Sequence, residues 1–183
     1  MVGSTIVTIV TPCRCAPNTE VPACTGLWPQ DFSGNFPCFC LPERFNQSAV
    51  QPLLPALEQF WSAGPELWAH EWEKHGTCIV ADKHSPFSTQ RQFFNTTLNL
   101  RQRHAVVPAL AAAGIHPSNS TRVPVAKLKT AWKAFFGGFP ELPCDADMKL
   151  SGWVFCLDKQ LQPIDCPLHN LDTCQGNIVW PSV

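Results

Sequence analysis

Apolar residues recur at helical spacing through the middle of the chain and in short β-type runs toward its end. Leu53, Leu54 and Leu57 predict a helix over residues 52–60, and a second is expected over 65–75, opened by Pro65 and stopped by Gly76. Further helices are expected over 90–103, over 106–113 ending at Gly114, and over 125–136 between Pro124 and the pair Gly137 and Gly138. β-Branched and aromatic residues between turn signals predict strands at 5–10, 152–157, 162–165 and 177–180. Helices in the middle and strands late imply an α+β fold, an antiparallel sheet with packed helices, whose core includes Trp132, Phe135 and Phe136.

Composition points to one such unit. With 183 residues, 45% of them hydrophobic, the chain can bury one sizeable core, and no linker, repeat or low-complexity tract divides it, so residues 1–183 are expected to form a single domain. No apolar run reaches the ~18 residues of a membrane span, which predicts a soluble protein with no membrane partner. Ten cysteines without a paired CxxC zinc pattern imply disulfides and an oxidising compartment. Sequons at Asn46, Asn95 and Asn119 agree with a secretory route, to the outside or to a vacuole. Residues 1–12 carry no basic side chain, and the run 6–10 is shorter than the apolar region of a signal peptide, so a truncated start or a processed chain is expected. The formal charge of −1 excludes the strong basic footprint that grips duplex nucleic acid. Protonating all six histidines near pKa ~6.5 would raise it to about +5, so mild acid is expected to favour a polyanionic partner.

The chemistry is concentrated in the run His70, Glu71, Trp72, Glu73, Lys74, His75, Gly76, Thr77, Cys78. On a helix turning about 100° per residue, taking His70 as zero puts Lys74 at about 40°, Glu71 at about 100° and His75 at about 140°, so four polar groups share one face. Imidazole exchanges protons near neutral pH, which makes His75 the natural proton carrier. Glu71 can orient that ring and Lys74 adds fixed positive charge, a combination suited to moving protons while negative charge builds, as at a phosphodiester. A solvated charged face is the plain alternative. Zinc is disfavoured, because an HExxH site sets its imidazoles four apart, whereas Lys74 holds that position here and rings about 140° apart chelate poorly.

The nine residues HEWEKHGTC, preceded by Trp68 and Ala69, resemble the second active-site segment of the ribonuclease T2 family, secreted endoribonucleases that include the S-type ribonucleases of plants. GLWP at 26–29 resembles the end of the family's first segment. FNQSAVQPLLPALEQFW, LRQRHAVVPALAAAGIHPS and CLDKQLQPIDCPLHNLDTCQGNIVWPS read like plant or green-algal members, so the resemblance runs from Thr25 to the end. It implies metal-free cleavage of single-stranded RNA by ribose 2′-hydroxyl attack, giving a 2′,3′-cyclic phosphate and a free 5′-hydroxyl. It also implies that His75 is one of two acid/base histidines, that Glu71 and Lys74 stabilise the phosphorane, and that His70 holds the phosphate. Trp28 and Phe36 become candidates for stacking on a base, with simple core aromatics as the alternative, and Gln30, with Asp31 beside it, for base recognition. The resemblance pairs Cys40 with Cys78, Cys144 with Cys174 and Cys156 with Cys166, and leaves Cys13, Cys15, Cys24 and Cys38 open. A monomer is expected.

One departure weighs most. Where the family reads HGLWP, this chain has Thr25 before Gly26, so a threonine stands in the place of the other acid/base histidine. Such groups typically contribute ~10²–10⁴ in rate, about 3–5 kcal/mol of barrier, and a threonine hydroxyl cannot exchange its proton near neutral pH. Reduced activity is expected, with a noncatalytic RNA-binding protein of the same fold as the alternative. Nothing in the spacing of His84, His104, His116 or His169 recommends a substitute, and His104 and His116 read as solvated surface. Residues 1–24 also lack the family's opening Gln-Trp-Pro turn, so a truncated or replaced start is expected there.

Overall fold

The structure, a computed structural model, describes residues 5–12, 26–31, 37–61, 64–167 and 171–182. Strands β1 (Thr5–Pro12) and β2 (Gly26–Asp31) come first, and a 3₁₀ turn, Gln47–Leu53, leads into α1 (Leu54–Phe60). Next come α2 (Pro65–Glu71), a π turn (Trp72–Gly76) and α3 (Thr77–Ala81), followed by α4 (Gln90–Arg103) and α5 (Val106–Ala112). β3 (Arg122–Pro124), α6 (Val125–Phe136), β4 (Gly152–Leu157), β5 (Pro163–Ile164) and β6 (Asn177–Val179) complete the order. The main sheet runs β2-β1-β4-β5, with antiparallel neighbours throughout, and β3 pairs with β6 in a second, two-stranded sheet. This is the α+β architecture that the sequence implies. No described helix is long and apolar enough to cross a membrane.

Local chemistry sets most of these boundaries. Thr89 caps α4 by accepting from the Gln92 N–H, and Gly137, with φ of 92°, closes α6 in the left-handed conformation. β4 is buried along its whole length, which is why its sequence, GWVFCL, shows no polar alternation. Trp153 on β4 stacks on Trp132 of α6 with centroids 4.9 Å apart and an interplanar angle of 15°. Around that pair one apolar cluster extends from Leu27 to Trp180, with Phe136 packed against it, whereas Phe135 is exposed rather than core. Disulfides join Cys40 to Cys78, Cys144 to Cys174, and Cys156 to Cys166.

Several elements differ from the reading of the sequence. β2 was hidden by Pro29, which breaks a strand pattern, yet β2 lies at the sheet edge where a missing donor is tolerated. β3 is three residues long and gives no periodic signal. α1 starts at Leu54 because Pro55 occupies its first turn, with the preceding residues wound as a 3₁₀ turn. His104 is not solvated surface: it is half-buried, its ring lies 4.4 Å from Phe155 and 5.2 Å from Phe136, and its Nδ1 is 2.7 Å from the Leu100 carbonyl. Burial accordingly holds its pKa below the usual histidine range.

Gly76 does not stop the helix. Its backbone is right-handed, with φ of −59° and ψ of −41°, and the chain continues as α3 to Ala81. The glycine serves a packing contact instead, since a Cβ there would come within 2.5 Å of Trp72 Cε3 and 3.3 Å of Phe93 Cδ1. In an ordinary helix interior, glycine to alanine stabilises by about 1 kcal/mol. Here Gly76→Ala is expected to destabilise by about 1–3 kcal/mol through overpacking, read as a lower midpoint in urea unfolding; an unchanged or higher midpoint would show that Trp72 gives way freely.

Candidate functional site

The reactive run lies where α2 passes through the π turn into α3. The Thr77 N–H donates to the Trp72 carbonyl, five residues back, which is the bond that defines a π turn. That winding brings residues five apart onto one face. The rings of His70 and His75 meet edge to face with centroids 6.2 Å apart, rather than diverging as on a regular helix. One ligand-type atom from each of His70, Glu71 and His75 lies within 4.8 Å of the others. The imidazoles are thus close enough for zinc, but Lys74 disfavours it: its positive charge acts on both Glu71 and His75 and opposes a cation between them. The cluster suits proton transfer and an anion.

β2 supplies the opposite wall. Leu27 and Pro29 are buried, while Trp28 and Gln30, alternating with them, are half-buried. The Trp28 indole Nε1–H donates to Glu71 Oε2 at 2.7 Å, and its ring stacks on His75 with centroids 5.0 Å apart and planes 22° from parallel. Trp28 thus touches both catalytic candidates, a positioning role that neither of its sequence expectations, stacking on a base or packing in the core, includes. Gly26 has a positioning role that its place in GLWP does not by itself reveal: it has φ of 152°, and a Cβ would come 1.9 Å from Glu71 Oε2, so only glycine lets the strand approach the carboxyl this closely. The GLWP motif was the available signal for both.

A strap of chain braces the far side of the turn. The Phe39 N–H donates to the Lys74 carbonyl at 3.1 Å, the Cys40 N–H to Thr77 Oγ1 at 3.2 Å, and Arg44 pairs with Glu73 at 2.7 Å. The Cys40–Cys78 bridge fastens the same strap covalently.

Burial separates the two imidazoles. His70 is exposed and His75 is 3% exposed. Burial, then the charges of Lys74 and His70, pulls the His75 imidazole down to about 3, so it is neutral at physiological pH. Glu71 is 2% exposed, and burial pushes its carboxyl up to about 7 against the opposing pull of the Trp28 hydrogen bond and the Lys74 charge. Six histidines therefore do not all gain charge in mild acid, because His75 stays neutral at pH 5.

The other expected residues fall as follows. Thr25, Phe36 and His169 lie outside the described residues, as do Cys13, Cys15 and Cys24. His84 and His116 are exposed. All three sequon asparagines are exposed: Asn46 caps the 3₁₀ turn through the Ser48 N–H, Asn95 lies on α4, and Asn119 donates to Ser182 Oγ at 2.7 Å.

The model of the ribonuclease T2 family matches residues 9–166. Ribonuclease DdI of Dictyostelium discoideum is 34% identical over 175 residues, which span 92% of this chain and 77% of that protein. Extracellular ribonuclease LE of Solanum lycopersicum is 29% identical over 185 residues, spanning 92% and 78%. A variant of RNase MC1, from bitter gourd seeds, solved in complex with 5′-UMP, superposes with a TM-score of 0.81 at 26% identity, over 98% of this chain and 100% of that one.

The raised Glu71 pKa has a stability consequence. The fold prefers the protonated carboxyl, so this contribution is complete below pH ~4.5 and is lost as pH rises through about 7. Glu71→Gln keeps an acceptor for Trp28 and never ionises. Its Tm relative to the native chain is expected to be higher at pH 8.5 than at pH 4.5, at roughly 2–4 °C per kcal/mol for a chain of this size; a difference independent of pH would remove the raised pKa.

Proposed function

Because the chain belongs to the ribonuclease T2 family, we propose that it is an endoribonuclease that cleaves single-stranded RNA by attack of the ribose 2′-hydroxyl on the adjacent phosphorus. The products are a 2′,3′-cyclic phosphate and a 5′-hydroxyl. The observation that carries this reading is the buried, neutral His75, stacked on Trp28 and set between Glu71, Lys74 and the exposed His70. A neutral imidazole offers a lone pair to the 2′-hydroxyl proton, and the negative charge that the phosphodiester brings beside it raises its proton affinity above that of the empty site. Lys74 supplies fixed positive charge where the phosphorane gains negative charge, and the Glu71 carboxyl, protonated in part near neutrality, can donate to a non-bridging oxygen. His70 meets the phosphate from the solvent side. Trp28 and Gln30 on β2 form the wall where a splayed base is received, and Phe36 is assigned to the same task.

The mechanism needs no metal or cofactor, and the active form is the monomer. Three disulfides and the likeness to an extracellular relative support a secretory route, with Asn46, Asn95 and Asn119 as glycan acceptors. Thr25 favours lowered turnover, and it is also the one observation behind a second reading, a noncatalytic RNA-binding protein of the same fold.

Purified, oxidised protein incubated with single-stranded RNA in EDTA is expected to release 2′,3′-cyclic ends, and His75→Ala to slow that release ~10²–10⁴-fold. RNA binding without cyclic ends at high protein concentration would instead establish the noncatalytic reading.

A further inference from the structure

Resting on the ribonuclease reading, we infer that His70 is the second proton-transfer group of this chain, occupying chemically the place that Thr25 vacates. The geometry of the π turn carries it. The two rings are 6.2 Å apart between centroids and nearly perpendicular, an arrangement in which each can reach one phosphate by a hydrogen bond of ~2.6–3.2 Å between heavy atoms. Without the π turn, rings five residues apart would diverge.

The unequal burial of the pair assigns the roles. His75 is buried, with Trp28 stacked on its ring and Glu71 beside it, and this side is assigned to the attacking 2′-hydroxyl. His70 stands at the open edge, where the departing 5′ nucleoside has room to leave. His75 removes the 2′-hydroxyl proton as the O2′–P bond forms. The P–O5′ bond breaks with its electron pair on O5′, and protonated His70 delivers a proton to that oxygen. Solvent returns a proton to His70 and receives the one on His75, so the enzyme is restored. His104 cannot take this role, because Phe136, Phe155 and the Leu100 carbonyl occupy it.

A leaving group that needs no proton tests the idea. Cleavage of uridylyl-3′,5′-adenosine is compared with that of uridine 3′-(4-nitrophenyl phosphate), whose nitrophenolate departs unaided, in the native chain, His70→Ala, His70→Asn and His75→Ala. The asparagine variant keeps a hydrogen bond to phosphate but has no proton to transfer. Both His70 variants are expected to lose ~10²–10⁴-fold on the dinucleotide and under tenfold on the nitrophenyl ester, while His75→Ala loses on both. Equal losses on the two substrates, or full dinucleotide activity in His70→Asn, would overturn the proton role and leave the ribonuclease reading standing. A native chain that cleaves neither substrate would overturn both.

Discussion

A half-buried hydrogen bond, from the Trp28 indole to the Glu71 carboxyl, fastens the edge of the sheet to the helix that carries the imidazoles. The Glu71 carboxyl is withdrawn from water, so it is costly without a donor of this kind. The bond also orients the indole across the buried His75 ring. Gly26 makes the approach possible by leaving the carboxyl room against the strand. Burial then displaces the two proton affinities in opposite directions, upward for Glu71 against the pull of the Trp28 bond and of Lys74, and downward for His75 with the help of the Lys74 and His70 charges.

The π turn decides what those residues can do together. On a regular helix the run presents a broad polar face whose imidazoles point apart. One wider turn, seated on the Trp72 ring through Gly76, folds that face inward and makes a pair of the two histidines. π Turns are rare and concentrate at functional sites, because their geometry persists only where packing enforces it. Here Phe93 from one side and the strap from Phe39 to Arg44 on the other do the enforcing.

Where boundary signals agree, the sequence is transparent. α6 begins after Pro124 and ends at Gly137 because one residue fixes φ and the other tolerates the left-handed cap. Gly76 carries the same letter as Gly137 and performs the opposite task, since what it accommodates is a ring brought close by tertiary packing. β2 escaped notice for a related reason: Pro29 excludes a central strand, and only the topology shows that the strand is an edge. His104 ends a basic stretch and reads as surface until Phe136 and Phe155 are folded against it. The composition of the site was visible in HEWEKHGTC and GLWP. Its geometry was not, because helical arithmetic assumes a constant turn.

The sheet-to-helix link also fixes when the site can exist. Trp28 and Glu71 are 43 positions apart, so the run from His70 to His75 does not by itself contain the wall that buries it, and a non-local contact of this kind forms only when the loop between them closes. A partly folded chain holds the imidazoles on an open helix, hydrated and unpaired with the strand. The arrangement of these groups is therefore a property of the completed tertiary structure, and a chain still being assembled lacks it.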